Sequence, residues 1–395
     1  MTAAGAKLPR VLVSAGEPSG DLYGALLLHA LKTRRGPFES FGLGGDAMAA
    51  EGTSLVAHVR DLAVVGLLEV VRHLPRLRRV FKDVLAEVDR DKPQLAVLID
   101  YAGFHLRLAR ELKRRGIPIV YYVSPQVWAW RRGRVRTIRE TVDRMLVLFP
   151  FEPAVYQAAG VPVTFVGHPL VDRLQPVADR PAARAALGFD PARPLVALLP
   201  GSRPQEVRYN LPPLLGAVAI VAARRPDVQL ALAAAPSLDL AALRAAIGGH
   251  PVRILEGRAT SLLGAADLGL VASGTATVEA ALVDTPIVVV YRLSPITYAL
   301  GRRFVDVPHY AMVNLIAERR LVPEIIQREL TPERVAAEAL RLLDDPEATR
   351  VIRAGLAQVR ERLGGPGASV RAAEAVAAAW ASVADKNVDR MPTSV

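Results

Sequence analysis

Short apolar runs alternate with helix-period stretches along this chain, and the alternation starts twice. RVLVSA (10–15) has the length and composition of a buried strand, and a helical pattern follows over residues 22–31. QLAVLID (94–100) is a second strand with its helix at 105–115, PIVYYV (118–123) is a third, and 145–149 and 163–166 continue the series. Uninterrupted apolar strands separated by helices imply parallel pairing with right-handed crossovers, because only a sheet covered on both faces buries such runs completely. Residues 172–194 are rich in Pro, Asp and Arg, lack a strand pattern, and read as an interdomain linker. Strand candidates then recur at 195–199, 229–233, 252–255, 268–272 and 287–291. The expectation is an α/β chain of two Rossmann-like domains, with a cleft between them as a usual place for a ligand. Alanine-rich amphipathic helices at 331–362 and 369–384 follow.

The length of 395 residues is more than one ordinary core needs and suits two. With 51% hydrophobic and 23% charged residues the chain is not a disordered one, and the absence of cysteine excludes disulfides, cysteine-ligated metals and thiol catalysis. The longest charge-free run approaching membrane-spanning length, 153–171, holds three prolines and two glycines. It does not read as a spanning helix. Residues 1–10 carry two charges and no long apolar core, so no secretory signal is visible and a cytoplasmic location is expected. The net charge of +11 is uneven: residues 101–150 carry eleven basic and three acidic side chains, hence +8. An anionic partner is implied: nucleic acid, anionic lipid or a phosphorylated small molecule.

Several stretches carry chemistry. SAGEPSGD (14–21) turns from a strand into a helix through Gly16 and Gly20. It is either a tight turn needing glycine or an anion site built from backbone N–H groups and a helix dipole. FGLGGD (41–46) reads as a second glycine-rich turn. Asp100 ends an apolar strand, where a carboxylate is either a base with a raised pKa or a plain cap for the next helix. Trp128 and Trp130 sit beside Arg131, Arg132 and Arg134, a grouping that suits sugar, phosphate or stacked bases; no nucleic-acid fold signature accompanies it, and no nucleic-acid partner is expected.

LLPGSR repeats the strand-to-glycine turn at Gly201, Ser202 and Arg203, the last able to bind phosphate. ASGTATVEA opens another helix at Ser273, Gly274 and Thr275, with Glu279 about a turn and a half further on. A diphosphate on such a helix start, with a carboxylate accepting ribose hydroxyls, makes nucleotide-sugar binding the better reading of the two turns together. LAVVGLLEVV (62–71) precedes Arg72, His73, Arg76, Arg78, Arg79 and Lys82: either a buried helix with a solvated basic face or a docking surface for an anionic bilayer. Asp89-Arg90-Asp91 reads as a charged surface turn, and the seven histidines lack paired metal spacing. His168 in GHP lies just before the linker and reads as a satisfied structural histidine.

Taken in order, SAGEPSGD, VVGLLEV, YYVSPQVWAWR, VGHP, LLPGSR, ASGTATVEA, VVYR and VNLIAERRLVPEIIQ run over residues 10–330. The chain thereby resembles the lipid-A-disaccharide synthases. The resemblance implies two Rossmann-like domains of the GT-B glycosyltransferase type: an acceptor domain at 1–172, a linker at 173–194 and a UDP-sugar domain at 195–362. A final helix in 363–395 would cross back to the first domain. It implies inverting transfer of 2,3-diacylglucosamine from UDP-2,3-diacylglucosamine to 2,3-diacylglucosamine 1-phosphate, forming a β-1,6-linked disaccharide and UDP. No metal or organic cofactor is expected.

Carried over by position, Asp100 is the candidate general base. Arg203 and Asn314 match positions near the UDP diphosphate, with Gly201, Ser202, Ser273, Gly274 and Thr275 in the same turns, and Glu279 matches the carboxylate at the ribose. Ser14, Gly16, Glu17, Ser19, Gly20 and Asp21 match the acceptor-side loop. Val64, Val65, Leu67, Leu68 and Val71 match a segment facing the inner membrane's cytoplasmic surface. A homodimer stays open. One departure stands out: many relatives continue the strand-end Asp with Pro-Asp-Phe-Asn after one residue, whereas here Ala102-Gly103-Phe104-His105 follows Tyr101. A catalytic carboxylate pair is thereby removed unless His105 supplies the second group. Alternatives are a UDP-N-acetylglucosamine 2-epimerase-like enzyme, which shares the two-domain plan, and a non-catalytic nucleotide-sugar-binding protein.

Overall fold

The computed structural model describes residues 8–62, 67–127, 133–294, 298 and 308–388, with the backbone course alone for 67–73 and 383–388. The chain forms two compact units, Met1–Asp172 with Gly364–Val395, and Arg173–Leu363.

In the first unit the strands are β1 (Arg10–Ala15), β2 (Glu39–Gly44), β3 (Thr53–His58), β4 (Leu95–Ile99), β5 (Ile119–Tyr122), β6 (Arg144–Val147) and β7 (Val163–Phe165). They pair in the order β3-β2-β1-β4-β5-β6-β7, every ladder parallel. Helices α1 (Pro18–Arg35), α2 (Asp46–Ala50), α3 (Leu67–Asp91), α4 (Ala102–Arg114), α5 (Arg134–Thr141) and α6 (Glu152–Ala158) connect them. All five residues of β4, and Val11, Leu12, Val13 and Ala15 of β1, are fully buried, which is why these strands read as continuous apolar runs. The helix Ala368–Val388 also belongs to this unit. Trp380 packs edge-on against Phe38, and its indole N–H donates to Gln94 Oε1 at 2.9 Å.

The second unit carries β8 (Leu195–Leu199), β9 (Gln229–Ala234), β10 (Arg253–Glu256), β11 (Leu268–Ala272), β12 (Ile287–Tyr291) and β13 (Glu324–Ile326). Their order is β10-β9-β8-β11-β12-β13, again with parallel ladders. Helices α7 (Arg180–Ala186), α8 (Pro204–Arg224), α9 (Leu240–Ile247), α10 (Ala259–Ala265) and α11 (Thr275–Leu282) surround it. Both units are doubly wound Rossmann-like sheets. Within the stretch 172–194, α7 is pinned to the sheet: the buried Arg184 guanidinium pairs with Asp267 at 2.5 Å and donates to the Ala265 carbonyl at 2.9 Å.

Three local expectations change. Phe41 to Gly44 belong to β2, not to a glycine turn. Gly42 has φ +148°, and a Cβ there would lie 2.1 Å from the Val13 carbonyl, so glycine serves close strand approach at an irregularity of register. Residues 331–362 are two helices, Pro332–Asp344 and Pro346–Arg362. Pro346 cannot donate to a continuing ladder, and Asp345 caps the second helix by accepting from Ala348 N. Asp89 and Asp91 lie at the end of α3, paired with Arg115 and Arg10. Among the described residues no helix is long and apolar enough to cross a membrane.

Candidate active site

In each sheet the chain winds outward in both directions from one central pair of strands, β1/β4 in the first unit and β8/β11 in the second. At such a switch point the connections leaving the carboxyl ends diverge and open a crevice. The turns at these edges are SAGEPSGD after β1, the Asp100 turn after β4, LLPGSR after β8 and ASGTATVEA after β11.

In the first unit Ala15 pairs with Ile99, so the SAGEPSGD loop and Asp100 leave adjacent strand ends. Asp100 and Tyr101 are both left-handed, each with φ +49°. Two consecutive non-glycine residues there cost about 1 kcal/mol or more each, so surrounding bonds must hold them. The Asp100 N–H donates to the Tyr122 carbonyl at 2.9 Å, and the Asp100 carbonyl accepts from the Tyr121 hydroxyl at 2.5 Å and from His105 Nδ1 at 2.7 Å. The N-cap position of α4 falls on Tyr101, one residue after Asp100.

His105 is fully buried, and its Nε2 lies 2.8 Å from Ser14 Oγ. Burial pushes its pKa down to about 4, against the smaller upward pull of hydrogen bonds to the Asp100 and Ile99 backbone. The imidazole is therefore neutral near pH 7, and it reaches the Asp100 backbone instead of forming a carboxylate pair. Tyr101 covers Gly16 and stacks on Phe104; burial, then the charge of Glu17, raises its phenol pKa.

The other loop residues divide by role. Glu17 takes the N-cap position of α1, followed by Pro18 and the half-buried Ser19, while Gly20 lets the helix approach Ala15 and Ile99. Asp21 is taken up by the turn after β2. Its carboxylate accepts from the backbone N–H groups of Gly45 (2.6 Å), Ala47 (3.1 Å) and Met48 (3.0 Å), fastening α1 to the start of α2. The buried His168 packs edge-on against Tyr23, and its Nδ1 accepts from Leu170 N at 3.3 Å. Burial lowers its pKa to about 4. Val64 and Val65, the side chains of Leu67, Leu68 and Val71, and residues 128–132 lie outside the described residues.

In the second unit Gly201 has φ +130° and sits against Glu206, whose Oε2 accepts from Ser202 N (3.0 Å) and Arg203 N (3.3 Å). The Arg203 side chain is more than half exposed at the start of α8 and lies 3.7 Å from Glu206. After β11, Gly274 (φ +152°) leaves open space beside the first turn of α11, with Thr275 exposed there, and Ser273 Oγ donates to the Tyr310 carbonyl at 2.8 Å. Glu279 is largely buried and accepts from Thr260 Oγ1 at 2.8 Å; burial raises its pKa, and the Thr260 bond offsets part of that.

Asn314 is fully buried and saturated by its own chain. Its Nδ2 donates to the Val322 carbonyl (3.0 Å) and Glu324 (2.8 Å), and its Oδ1 accepts from Leu321 N and Val322 N, both at 2.9 Å. Its side chain shapes the 311–324 wall and keeps no hydrogen-bonding capacity for a ligand. Motif reading had not singled out Tyr121, Glu206, Thr260 or Glu324. Tyr121, Thr260 and Glu324 bond residues 10 to 21 positions away, whereas Glu206, at the third position of α8, bonds its own turn and has a local signature, that of a capping box.

The comparisons agree with this layout. A curated lipid-A-disaccharide synthase from Myxococcus xanthus is 44% identical over 370 residues, covering 93% of this chain and 97% of its own. The solved glycotransferase of kitacinnamycin superposes with a TM-score of 0.62 at 17% identity, covering 95% of this chain and all of its own. The Neisseria meningitidis UDP-GlcNAc 2-epimerase, solved bound to UDP-GlcNAc, also gives 0.62, at 10% identity, with 96% of this chain and all of its own covered. At those identities the two structures speak for the GT-B architecture alone. The family described as lipid-A-disaccharide synthetase matches residues 11–379, and the chain belongs to this family of glycosyltransferases.

Proposed function

We propose that the chain transfers 2,3-diacylglucosamine from its UDP conjugate to the 6-hydroxyl of 2,3-diacylglucosamine 1-phosphate with inversion, giving the β-1,6-linked disaccharide 1-phosphate and UDP. The observation that carries this reading is Asp100: a carboxylate in a left-handed turn at the β1/β4 switch point, beside the SAGEPSGD loop, in a chain of this family. Asp100 takes the proton from the acceptor hydroxyl as that oxygen attacks the donor's anomeric carbon. As the glycosidic C–O bond breaks, charge grows on the diphosphate. The Gly201–Arg203 turn presents the Arg203 guanidinium to that charge, and the start of α11 from Gly274 supplies N–H groups. Glu279 accepts from the ribose hydroxyls. Asn314 and Asp21 act from one step back, as the bonds that fix the walls.

The apolar stretch 62–71 and the basic side chains after it dock this unit on the anionic cytoplasmic face of the inner membrane, where the acylated substrates lie. Replacing Leu67 and Leu68 together by Glu lowers binding to anionic liposomes; unchanged partitioning with an intact fold refutes the docking role.

The decisive assay is UDP release with defined acylated donor and acceptor. Both sugars are required, and Asp100→Asn abolishes release while calorimetry still registers UDP. Turnover without the acceptor points to epimerase-like or hydrolytic chemistry, and an active Asp100→Asn removes the base.

A further inference from the structure

His105, on the first turn of α4, has a defined job in the geometry. A carbonyl can only accept, so the 2.7 Å contact with the Asp100 oxygen puts the ring proton on Nδ1. Nε2 is then bare, and the Ser14 hydroxyl, 2.8 Å away, must donate to it. One neutral ring thereby ties the end of β1 to the residue just after β4. Tyr121 supplies the second donor to the same carbonyl, at 2.5 Å from the end of β5. Three neighbouring strands converge on one peptide group, and that peptide joins the two left-handed residues. His105 and Tyr121 are both fully buried.

We propose that His105 is a positioning residue for sugar transfer: with its proton on Nδ1 and Ser14 behind it, it holds the Asp100–Tyr101 turn in the left-handed form that aims the Asp100 carboxylate. The proposal rests on Asp100 being the base. His105 itself touches no substrate.

Two amide substitutions separate this role from simple core filling. His105→Asn places a donor where Nδ1 stands; His105→Gln places its amide near the Nε2 position and leaves the Asp100 carbonyl without that donor. A turn displaced by about an ångström costs roughly a hundredfold in turnover, so His105→Gln lowers kcat by about that factor with KM nearly unchanged. His105→Asn recovers all but about tenfold of the loss. Tyr121→Phe, which keeps the ring's packing, lowers kcat in the same sense and serves if the His105 variants do not fold. Nitrogen-15 spectra of the wild type show the His105 signal, identified by its loss in His105→Asn, with a protonated Nδ1 and an unprotonated Nε2.

Equal kcat in the Asn and Gln variants, wild-type kcat in His105→Gln, or the opposite tautomer overturns the proposal. Should Asp100→Asn stay fully active while His105→Gln is impaired, the base assignment fails and the hold on the turn stands.

Discussion

Tyr101 lies so close over Gly16 that a Cβ on that glycine would come within 2.1 Å of the ring's Cγ. Gly16 belongs to the loop after β1, and Tyr101 follows Asp100 after β4. The two edges of the switch point therefore interlock through a contact that only glycine permits. Gly16→Ala must push the tyrosine out, and the tyrosine shares its strained turn with Asp100. The expected result is a loss of about a hundredfold in kcat, with destabilisation of about 1–3 kcal/mol from overpacking. Steady-state turnover and denaturant melts measure the two effects separately. Truncating the ring at 101 removes the contacts with Cγ and Cδ1, so the loss of stability in Gly16→Ala combined with Tyr101→Ala should be smaller than the sum of the two single losses if the contact is the cause.

Arg203 presents its guanidinium at the edge of the second sheet, more than half exposed. A charged donor directed at a diphosphate contributes more than a neutral one, and its planar fork is not reproduced by an ammonium. Arg203→Ala is expected to weaken UDP binding by about ten- to a hundredfold, corresponding to about 1.5–3 kcal/mol for a hydrogen bond to a charged group. Arg203→Lys recovers only part of it. Calorimetry with UDP and with uridine separates the roles, because uridine lacks the diphosphate and its affinity should not change. Equal losses for both ligands would assign Arg203 to the fold of the turn.

Glu279 offers a second, independent check on nucleotide placement. If it accepts from the ribose, UDP binds better than 2′-deoxy-UDP in the parent, and this preference collapses in Glu279→Ala. Burial raises the Glu279 pKa, so the accepting carboxylate is lost on acidification at a higher pH than for an ordinary glutamate. UDP affinity should therefore begin to fall above the usual carboxylate range, and Glu279→Gln should flatten that part of the profile. A profile unchanged by the substitution assigns the acid sensitivity elsewhere.

The sequence discloses some of this arrangement and hides the rest for identifiable reasons. Strands such as β4 and β8 are legible because all their residues are buried, which makes the run of apolar letters continuous. The strand β2 is not, because Gly42 and Gly44 dilute its apolar pattern; the first meets the backbone of β1 and the second the side chains of Leu55 and Met48. Asp100 can be placed at a sheet edge from the order of elements alone. What holds it cannot, since Ser14 and His105 are 91 positions apart and the Tyr121 bond spans 21. The same holds for Asp21, whose bonding partners begin 24 residues on. Asn314 draws its partners from seven to ten residues after it, but whether that amide faces a ligand or its own backbone is decided by burial, which the motif does not encode.

His105 and His168 make the fold itself sensitive to acid. Both are buried, and burial lowers each pKa from 6.5 to about 4. In the unfolded chain these imidazoles take up protons near pH 6.5, whereas in the folded chain they resist until about pH 4. The unfolded state therefore binds more protons throughout that window. Stability from these groups is fully present above pH 6.5, declines as pH falls, and levels off below about 4. Each group contributes about 1.4 kcal/mol per pH unit in the steep part, so the pair gives a slope near two protons. Chemical denaturation at successive pH values measures it. His168→Phe, which keeps an aromatic ring against Tyr23 and Phe149, should reduce the slope to about one proton while lowering stability at pH 7 through the lost bond to Leu170 N. A slope that stays at two in this variant would place the acid sensitivity on other groups.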